Sequence, residues 1–253
     1  MKVKFWLLDV NYEVRNHEPE IWLWGLDDSG NRVLIVDRSF LAYFYAVVKE
    51  GFDAGKVFKE IESERADYPF LGRVEIVEKK FFGKPIKALK VYCKDPDVIA
   101  KYARVFRKIE GVEECLEDDI RYSMRYLIDN NVVPCGWHEV EVVEEEKNFD
   151  VRVDRVYAAK SPPKFVERTD VPNLRVLGFS TICYSREGSP KPDRNPVVII
   201  SAATNSGEGR QFLAGEDKND KPVLEAFIDY VRSFDPDIIV GFGVNRQDWA
   251  YLN

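Results

Sequence analysis

The chain has 253 residues, 45% hydrophobic and 32% charged, so it can bury a sizeable core and is not disordered. Its net charge of −7 excludes a general nucleic-acid coat, because nonspecific DNA binding depends on Lys and Arg neutralising phosphates. No run of about eighteen apolar residues occurs, which excludes a membrane-spanning helix, and the apolar start is broken at Asp9, so a secretory leader is not expected and the expected location is cytoplasmic.

In chain order, Val3 to Tyr12, Glu20 to Leu26 and Arg32 to Val36 alternate or run apolar and predict strands. Turn signals separate them at Asn16-His-Glu-Pro19 and Asp27-Asp-Ser-Gly-Asn31. Phe40 to Val48 predicts an aromatic strand, and Asp53 to Arg65 has helical spacing. Arg73 to Phe82 and Ile86 to Cys93 predict a hairpin turning near Gly83-Lys84-Pro85. Asp97 to Ile109 predicts a helix capped by Asp95 or Asp97, with Val98, Tyr102, Val105 and Ile109 inward. Val112 to Leu116 predicts a strand, so Phe44 to Leu116 follows the strand-helix-strand-strand-helix-strand order of a ferredoxin-like (RRM-like) unit. Ile120 to Asn130 predicts a helix that ends at Val133-Pro134. Glu139 to Asp150 is acidic, and its alternating Val favours a solvated strand over a regulatory tail.

Ser161-Pro162-Pro163 is a plausible linker. Beyond Asn173 the pattern becomes α/β. Leu174 to Cys183 predicts a buried strand, Val197 to Ala202 a second and Gln211 to Ala214 a short third. Pro222 to Phe234 predicts a helix with Leu224, Phe227, Ile228 and Val231 inward, and Asp237 to Phe242 a further strand. The fold class is α+β / α/β: a β-rich N-terminal domain with a ferredoxin-like unit, then a partial ribonuclease-H-like domain. The expected domains are 1–134, with 135–160 as a β connector packing on it, and 161–253.

Most familiar chemistries find no residues here. Cys93, Cys115, Cys135 and Cys183 stand far apart and away from His17 and His138, so buried free thiols are expected rather than a zinc site. A P-loop and a Gly-x-Ser-x-Gly elbow are both missing.

Three segments resemble the N-terminal domain of archaeal family B DNA polymerases: Leu8-Asp-Val-Asn-Tyr12, Asp37-Arg-Ser-Phe-Leu-Ala-Tyr-Phe-Tyr45 and Asp119-Ile-Arg-Tyr-Ser-Met-Arg-Tyr-Leu-Ile-Asp129. Phe179-Ser180-Thr181-Ile182 and Asp235 to Leu252 resemble the first two motifs of that family's 3'-5' exonuclease. The resemblance implies two divalent ions, which such nucleases hold about 4 Å apart on converging carboxylates. The first motif, Phe-Asp-Ile-Glu, places both acids on one strand face. Here Ser180 and Ile182 occupy those positions, and Asp248 is the one acid that matches the second motif. Phe242, Gly243 and Gln247 replace its Tyr, Asn and Phe. The expectation is a chain that is not an enzyme and has no metal site or cofactor. A residual nuclease using Asp248 with Asp237 or Glu225 is the less favoured alternative.

In archaeal members the N-terminal domain captures uracil or hypoxanthine from single-stranded template. The resemblance maps that pocket onto Tyr12, Ala42, Tyr43, Asp97, Val98, Ile120, Arg121, Tyr122 and Arg125. It implies that Val98 stands where the methyl of thymine would collide, that backbone near Tyr43 and Ile120 reads the base edge, and that Arg125 braces the pocket or a phosphate. Ala42 and Arg121 stand where the family has proline. Lys79, Lys80, Lys84 and Lys87, with Arg121 and Arg125, supply local positive charge for phosphate contacts. Core packing alone is the alternative account of Tyr12, Tyr43, Val98 and Ile120. The expected partner is single-stranded DNA carrying a deaminated base. The alternative is an interaction role beside a separate polymerase half or replication proteins. No membrane partner is expected.

Overall fold

A computed structural model of the chain describes residues 1–15, 17–146, 150–186 and 188–252. Asn16 of the first turn, residues 147–149 of the acidic stretch and residue 187 of the loop before Pro196 lie outside these. Two compact units form, Met1–Pro172 and Asn173–Asn253.

The first unit opens with β1 (Lys2–Arg15), β2 (Glu18–Asp27) and β3 (Arg32–Asp37), an antiparallel meander. β1 and β2 approach so closely that a Cβ on Gly25 would stand 2.3 Å from the Trp6 carbonyl oxygen, which only glycine tolerates. The acidic stretch forms β8 (Trp137–Glu145), followed by β9 (Arg155–Ala159) and β10 (Lys164–Phe165). β9 lies parallel to β3, and β8 pairs with β9 and again with β1. The order β1-β2-β3-β9-β8 therefore closes on itself through Lys2–Trp6 of β1, which pair with β8, while Phe5 and Trp6 pair with β2 as well. Phe5, Leu7, Ile21, Leu23, Ile35, Val140 and Tyr157 belong to its core. Ser161-Pro162-Pro163, expected as a linker, lies between β9 and β10 within this unit.

Between β3 and β8 runs β4 (Ala42–Val48), α1 (Ala54–Ser63), β5 (Leu71–Phe81), β6 (Lys84–Cys93), α2 (Ile99–Phe106) and β7 (Val112–Leu116). The sheet order is β5-β6-β4-β7, antiparallel throughout, as a ferredoxin-like unit requires. Asp53 caps α1 by accepting the Gly55 N–H at 2.9 Å. The β5–β6 hairpin turns at Phe82 and Gly83, both at positive φ, the pattern of a two-residue turn that matches strand twist.

The apolar stripe of α2 differs from the expected one. Asp95 caps a 3-10 turn over Pro96–Val98, so the α-helix begins at Ile99 and buries Ile99, Tyr102, Ala103 and Phe106. Val105 is exposed, and Val98 only partly buried. α3 (Tyr122–Asp129) starts two residues after the expected Ile120.

Unit two has β11 (Val176–Cys183), β12 (Val197–Thr204), β13 (Gly209–Leu213), α4 (Lys221–Phe234), β14 (Ile238–Val240) and α5 (Asp248–Leu252). The order is β13-β12-β11-β14, with β14 parallel to β11 and the other pairs antiparallel, a ribonuclease-H-like arrangement. Val223, Phe227 and Tyr230 of α4 meet Leu177, Phe179, Ile200 and Phe212 in one core. Ile228, expected inward, is 45% exposed. β11 is half-buried rather than buried, because its side chains alternate between that core and an open face.

The four cysteines are free. Burial pushes the thiols of Cys93 and Cys115 up to about 12, whereas Cys135, expected inside, is exposed at a turn with φ of 55°. His138 is fully buried. The Val133 N–H donates to its Nε2 at 3.2 Å, and Nδ1 lies 3.0 Å from the Gly136 carbonyl oxygen, which together fix a neutral imidazole. Burial holds its pKa below the usual 6.5. The unfolded chain therefore binds the proton more readily. The stability this histidine contributes is complete above the unfolded value and is lost as pH falls towards the folded one. The melting temperature of the native chain is expected to drop between pH 7 and pH 5, and His138→Gln to flatten that slope; an unchanged slope would contradict this assignment.

Candidate functional site

Two regions matter, one in each unit. In the second unit the question is what stands on the open face of β11. Strand alternation puts Ser180 and Ile182 on that face and Phe179 and Thr181 on the core side. Cross-strand register sets Ser180 opposite Ser201, which faces Gln211 in turn, and Gln211 Nε2 donates to Ser201 Oγ at 3.2 Å. The next rank is Ile182, Ile199 and Leu213. Ile182 is 55% exposed and Leu213 63%, so this rank is an aliphatic row on an open sheet face.

Asp248 begins α5 and is buried. Its Oδ1 accepts the Thr181 N–H at 2.7 Å and the Thr181 Oγ–H at 2.6 Å. Thr181 therefore does more than the sequence suggested: it ties the one motif carboxylate to the strand. The hydroxyl at a core-facing strand position was the only sequence signal for this contact. Asp237 accepts the Arg175 N–H at 2.7 Å, and Glu225 lies 3.8 Å from Lys221 Nζ, so each has a partner of its own. Among the described residues no three His, Cys, Asp or Glu side chains gather where they could hold a metal ion. Two divalent ions do not fit this donor set: a neutral hydroxyl, an isoleucine and a carboxylate already accepting two hydrogen bonds. Asp248→Ala should destabilise the protein by about 2–3 kcal/mol, the loss expected for two hydrogen bonds to a buried charged group. Urea unfolding measures it, and a change near zero would mean that the Thr181 contact contributes nothing.

In the first unit a concavity of about 140 Å³ lies between β1, the 3-10 turn and the segment leading into α3. Tyr12, Asp97, Ile120, Arg121 and Tyr122 all line it. The Tyr12 ring meets Tyr122 edge-on with centroids 5.4 Å apart, and the Tyr122 hydroxyl donates to the Phe40 carbonyl, which locks that ring. Asp95 Oδ1 accepts the Asp97 N–H at 2.9 Å and holds the 3-10 turn against the pocket. Tyr12 Oη lies 3.5 Å from Asp97 Oδ1. Burial, and then Asp97, raise the Tyr12 pKa, so its hydroxyl stays protonated at neutral pH. Asp118 is paired with Arg107 at 2.8 Å, leaving Asp97, Asp119 and Arg121 at the rim. That balance disfavours a phosphate and suits an uncharged ring.

The other four residues mapped to this pocket stand elsewhere. Ala42 is buried in the core on the helix side of β4. Val98 packs against that core from the end of the 3-10 turn. Tyr43 points to the opposite face of the sheet, where its hydroxyl donates to Asp129 Oδ2 at 2.6 Å. Arg125, expected to brace the pocket or a phosphate, is only 6% exposed. Its Nη2 donates to Glu117 at 2.5 Å, its Nη1 to the Tyr43 hydroxyl at 3.1 Å, and its guanidinium lies 4.6 Å from the Tyr43 ring centroid. One turn of α3 carries the chain from the pocket to the far side of the sheet.

The fold class is therefore mixed α and β: a ferredoxin-like unit beside a closed β ring and, in the second unit, a ribonuclease-H-like sheet. The sequence pattern of the family B DNA polymerase exonuclease domain matches residues 114–214. The chain is 35% identical to DNA polymerase 2 of Aeropyrum pernix, over 99% of this chain and 32% of that protein. It is 33% identical to DNA polymerase 3 of Saccharolobus shibatae, over 98% of this chain and 31% of that protein. The solved family B DNA polymerase of Pyrobaculum calidifontis superposes with a TM-score of 0.85 at 39% identity, covering 98% of this chain and 31% of that one. This chain is related to the family B DNA polymerases, which it matches over nearly its whole length. It spans about a third of the length of these relatives.

Proposed function

We propose that this chain is a non-catalytic reader of single-stranded DNA that holds a deaminated base, uracil or hypoxanthine, in the concavity beside Tyr12. The observation that carries the reading is the meeting of Tyr12, Ile120, Arg121, Tyr122 and Asp97 around a space of about 140 Å³. A base can enter such a slot from a single strand at a smaller unstacking cost than from a duplex. The locked Tyr122 ring gives the slot a rigid wall, and rigidity is what lets it reject the extra methyl of thymine. The neutral residues on β11 and the Thr181 hold on Asp248 support binding without cleavage. The relatives are named as DNA polymerases, and a setting in DNA replication is part of the same proposal.

The test is a titration of the full chain with labelled single-stranded DNA containing one uracil or one thymine, with and without magnesium. Uracil should bind about tenfold more tightly, the effect of one methyl in a tight pocket, and the oligonucleotide should keep its length. Equal affinity rejects base reading, and magnesium-dependent shortening by the pure protein rejects the non-catalytic assignment.

A further inference from the structure

The base slot has a rim that disfavours phosphate, so the strand that enters it needs a positive surface elsewhere. The other face of the four-stranded sheet, turned away from α1 and α2, supplies one. Residues 79–90 hold five lysines and no acid, in a chain of net charge −7, and of these Lys79, Lys84 and Lys90 alternate onto this face while Lys87 stands opposite Glu78 on the other. They form the β5–β6 hairpin, whose tip carries Phe82, 92% exposed and set against Phe81 with centroids 4.6 Å apart.

Below the tip, Tyr43 and Tyr45 of β4 and Tyr92 of β6 form one aromatic patch, with Tyr43 5.5 Å from each of the others. Lys90 Nζ sits 3.7 Å from the Tyr43 centroid and Lys79 Nζ 5.4 Å from that of Tyr45. Neither lysine has a carboxylate within ion-pair distance among the described residues. The carboxylates nearby are engaged: Glu75 with Arg73 at 2.9 Å and Glu117 with Arg125. A groove of about 130 Å³ runs beside the patch, with Ile86, Ala88 and Leu116 on its floor and Lys79 and Lys80 on its rim. The three tyrosines are buried beneath this cover, with Arg73 also over Tyr92 and Arg125 over Tyr43, so the ammonium groups are the part of the patch free to swing to phosphates and Phe82 is the ring already open to a base. Aromatic faces and cations that track a backbone are what sequence-indifferent binding of a single strand requires.

We infer that this outer sheet face is a second nucleic-acid site, which holds the backbone of single-stranded DNA whatever its bases. The inference deepens the reading above in its choice of DNA as ligand, but it does not depend on the base slot. α3 links the two surfaces: Tyr122 lines the slot, and Arg125, one turn on, lies over Tyr43.

The experiment measures anisotropy of labelled oligothymidine bound to the full chain over a range of salt concentrations. Lys79→Ala/Lys84→Ala/Lys90→Ala should lower affinity about tenfold and make the log–log salt slope shallower by about 2, near 0.7 for each single-strand phosphate left without its lysine. The ratio of uracil to thymine affinity should not change. Phe82→Ala, at the exposed tip where folding is not at stake, should weaken binding several-fold with an unchanged salt slope. Lys56→Ala/Lys59→Ala/Lys101→Ala removes the same charge from α1 and α2 and should leave affinity as it was. The proposal is overturned if this control weakens binding as much as the hairpin variant. It is equally overturned if the hairpin variant binds like the native chain, or if the hairpin lysines prove necessary for phosphatidylserine vesicles and not for the oligonucleotide. A native chain that binds uracil and thymine equally, yet releases oligothymidine when the hairpin lysines are removed, would refute the base slot and leave this surface standing.

Discussion

Replacing Ser180 by Asp and Ile182 by Glu should give the chain a divalent-cation site with millimolar or tighter affinity for manganese, while the native chain shows none. The backbone is already placed for it. The two positions are neighbours on the open face of β11, and both are solvent-exposed, so neither new carboxylate would be buried without water or a partner. Asp248 lies beside the same strand, joined to it through Thr181. Two added carboxylates supply the hard oxygen donors that such ions prefer. Calorimetric titration with manganese distinguishes the two proteins. If the native chain binds two manganese ions as tightly as the double variant, the cleft has donors beyond those identified and the non-catalytic proposal fails.

The second large effect is expected at the base slot. Ile120→Trp should abolish any preference for uracil over thymine, because an indole fills much of a space of about 140 Å³. Ile120 precedes α3 and is only partly buried, so the larger side chain displaces solvent before it strains the core. The expected loss is the whole discrimination, about tenfold for one methyl, with oligothymidine affinity and melting temperature nearly unchanged. Competition between uracil and thymine oligonucleotides measures it. Retained preference in a folded Ile120→Trp protein would place base reading away from this concavity. Val98→Gln is a weaker probe, since Val98 packs against the core rather than lining the slot.

Whatever repeats along the chain was legible in the sequence. Alternation gave most of the strands but not β9 or β10, the strand-helix order gave the ferredoxin-like unit and the second sheet, and the motif resemblance gave the positions of Ser180, Ile182 and Asp248. Period two alone places Ser180 and Ile182 on one face, because a strand's side-chain direction is a local property of its backbone. Helix faces were less secure. The 3-10 turn at Pro96–Val98 moved the start of α2, so the buried stripe became Ile99, Tyr102, Ala103 and Phe106 instead of one through Val105. A shift of one residue rotates a helix by about 100°, enough to turn a predicted inward side chain out to solvent.

Which distant side chains meet was decided by the tertiary structure. Tyr12 and Asp97 approach across 85 positions, and Thr181 reaches Asp248 across 67. Arg125 lies within four residues of Arg121 and Tyr122, yet it faces the opposite side of the sheet from the slot they line. The closure of β8 onto β1 depended likewise on a register that no single segment encodes. Composition and periodicity set what each element is, because those preferences act over a turn or a strand. Sheet order, register and packing set which elements face one another, and a site exists only where those longer-range choices bring its side chains together.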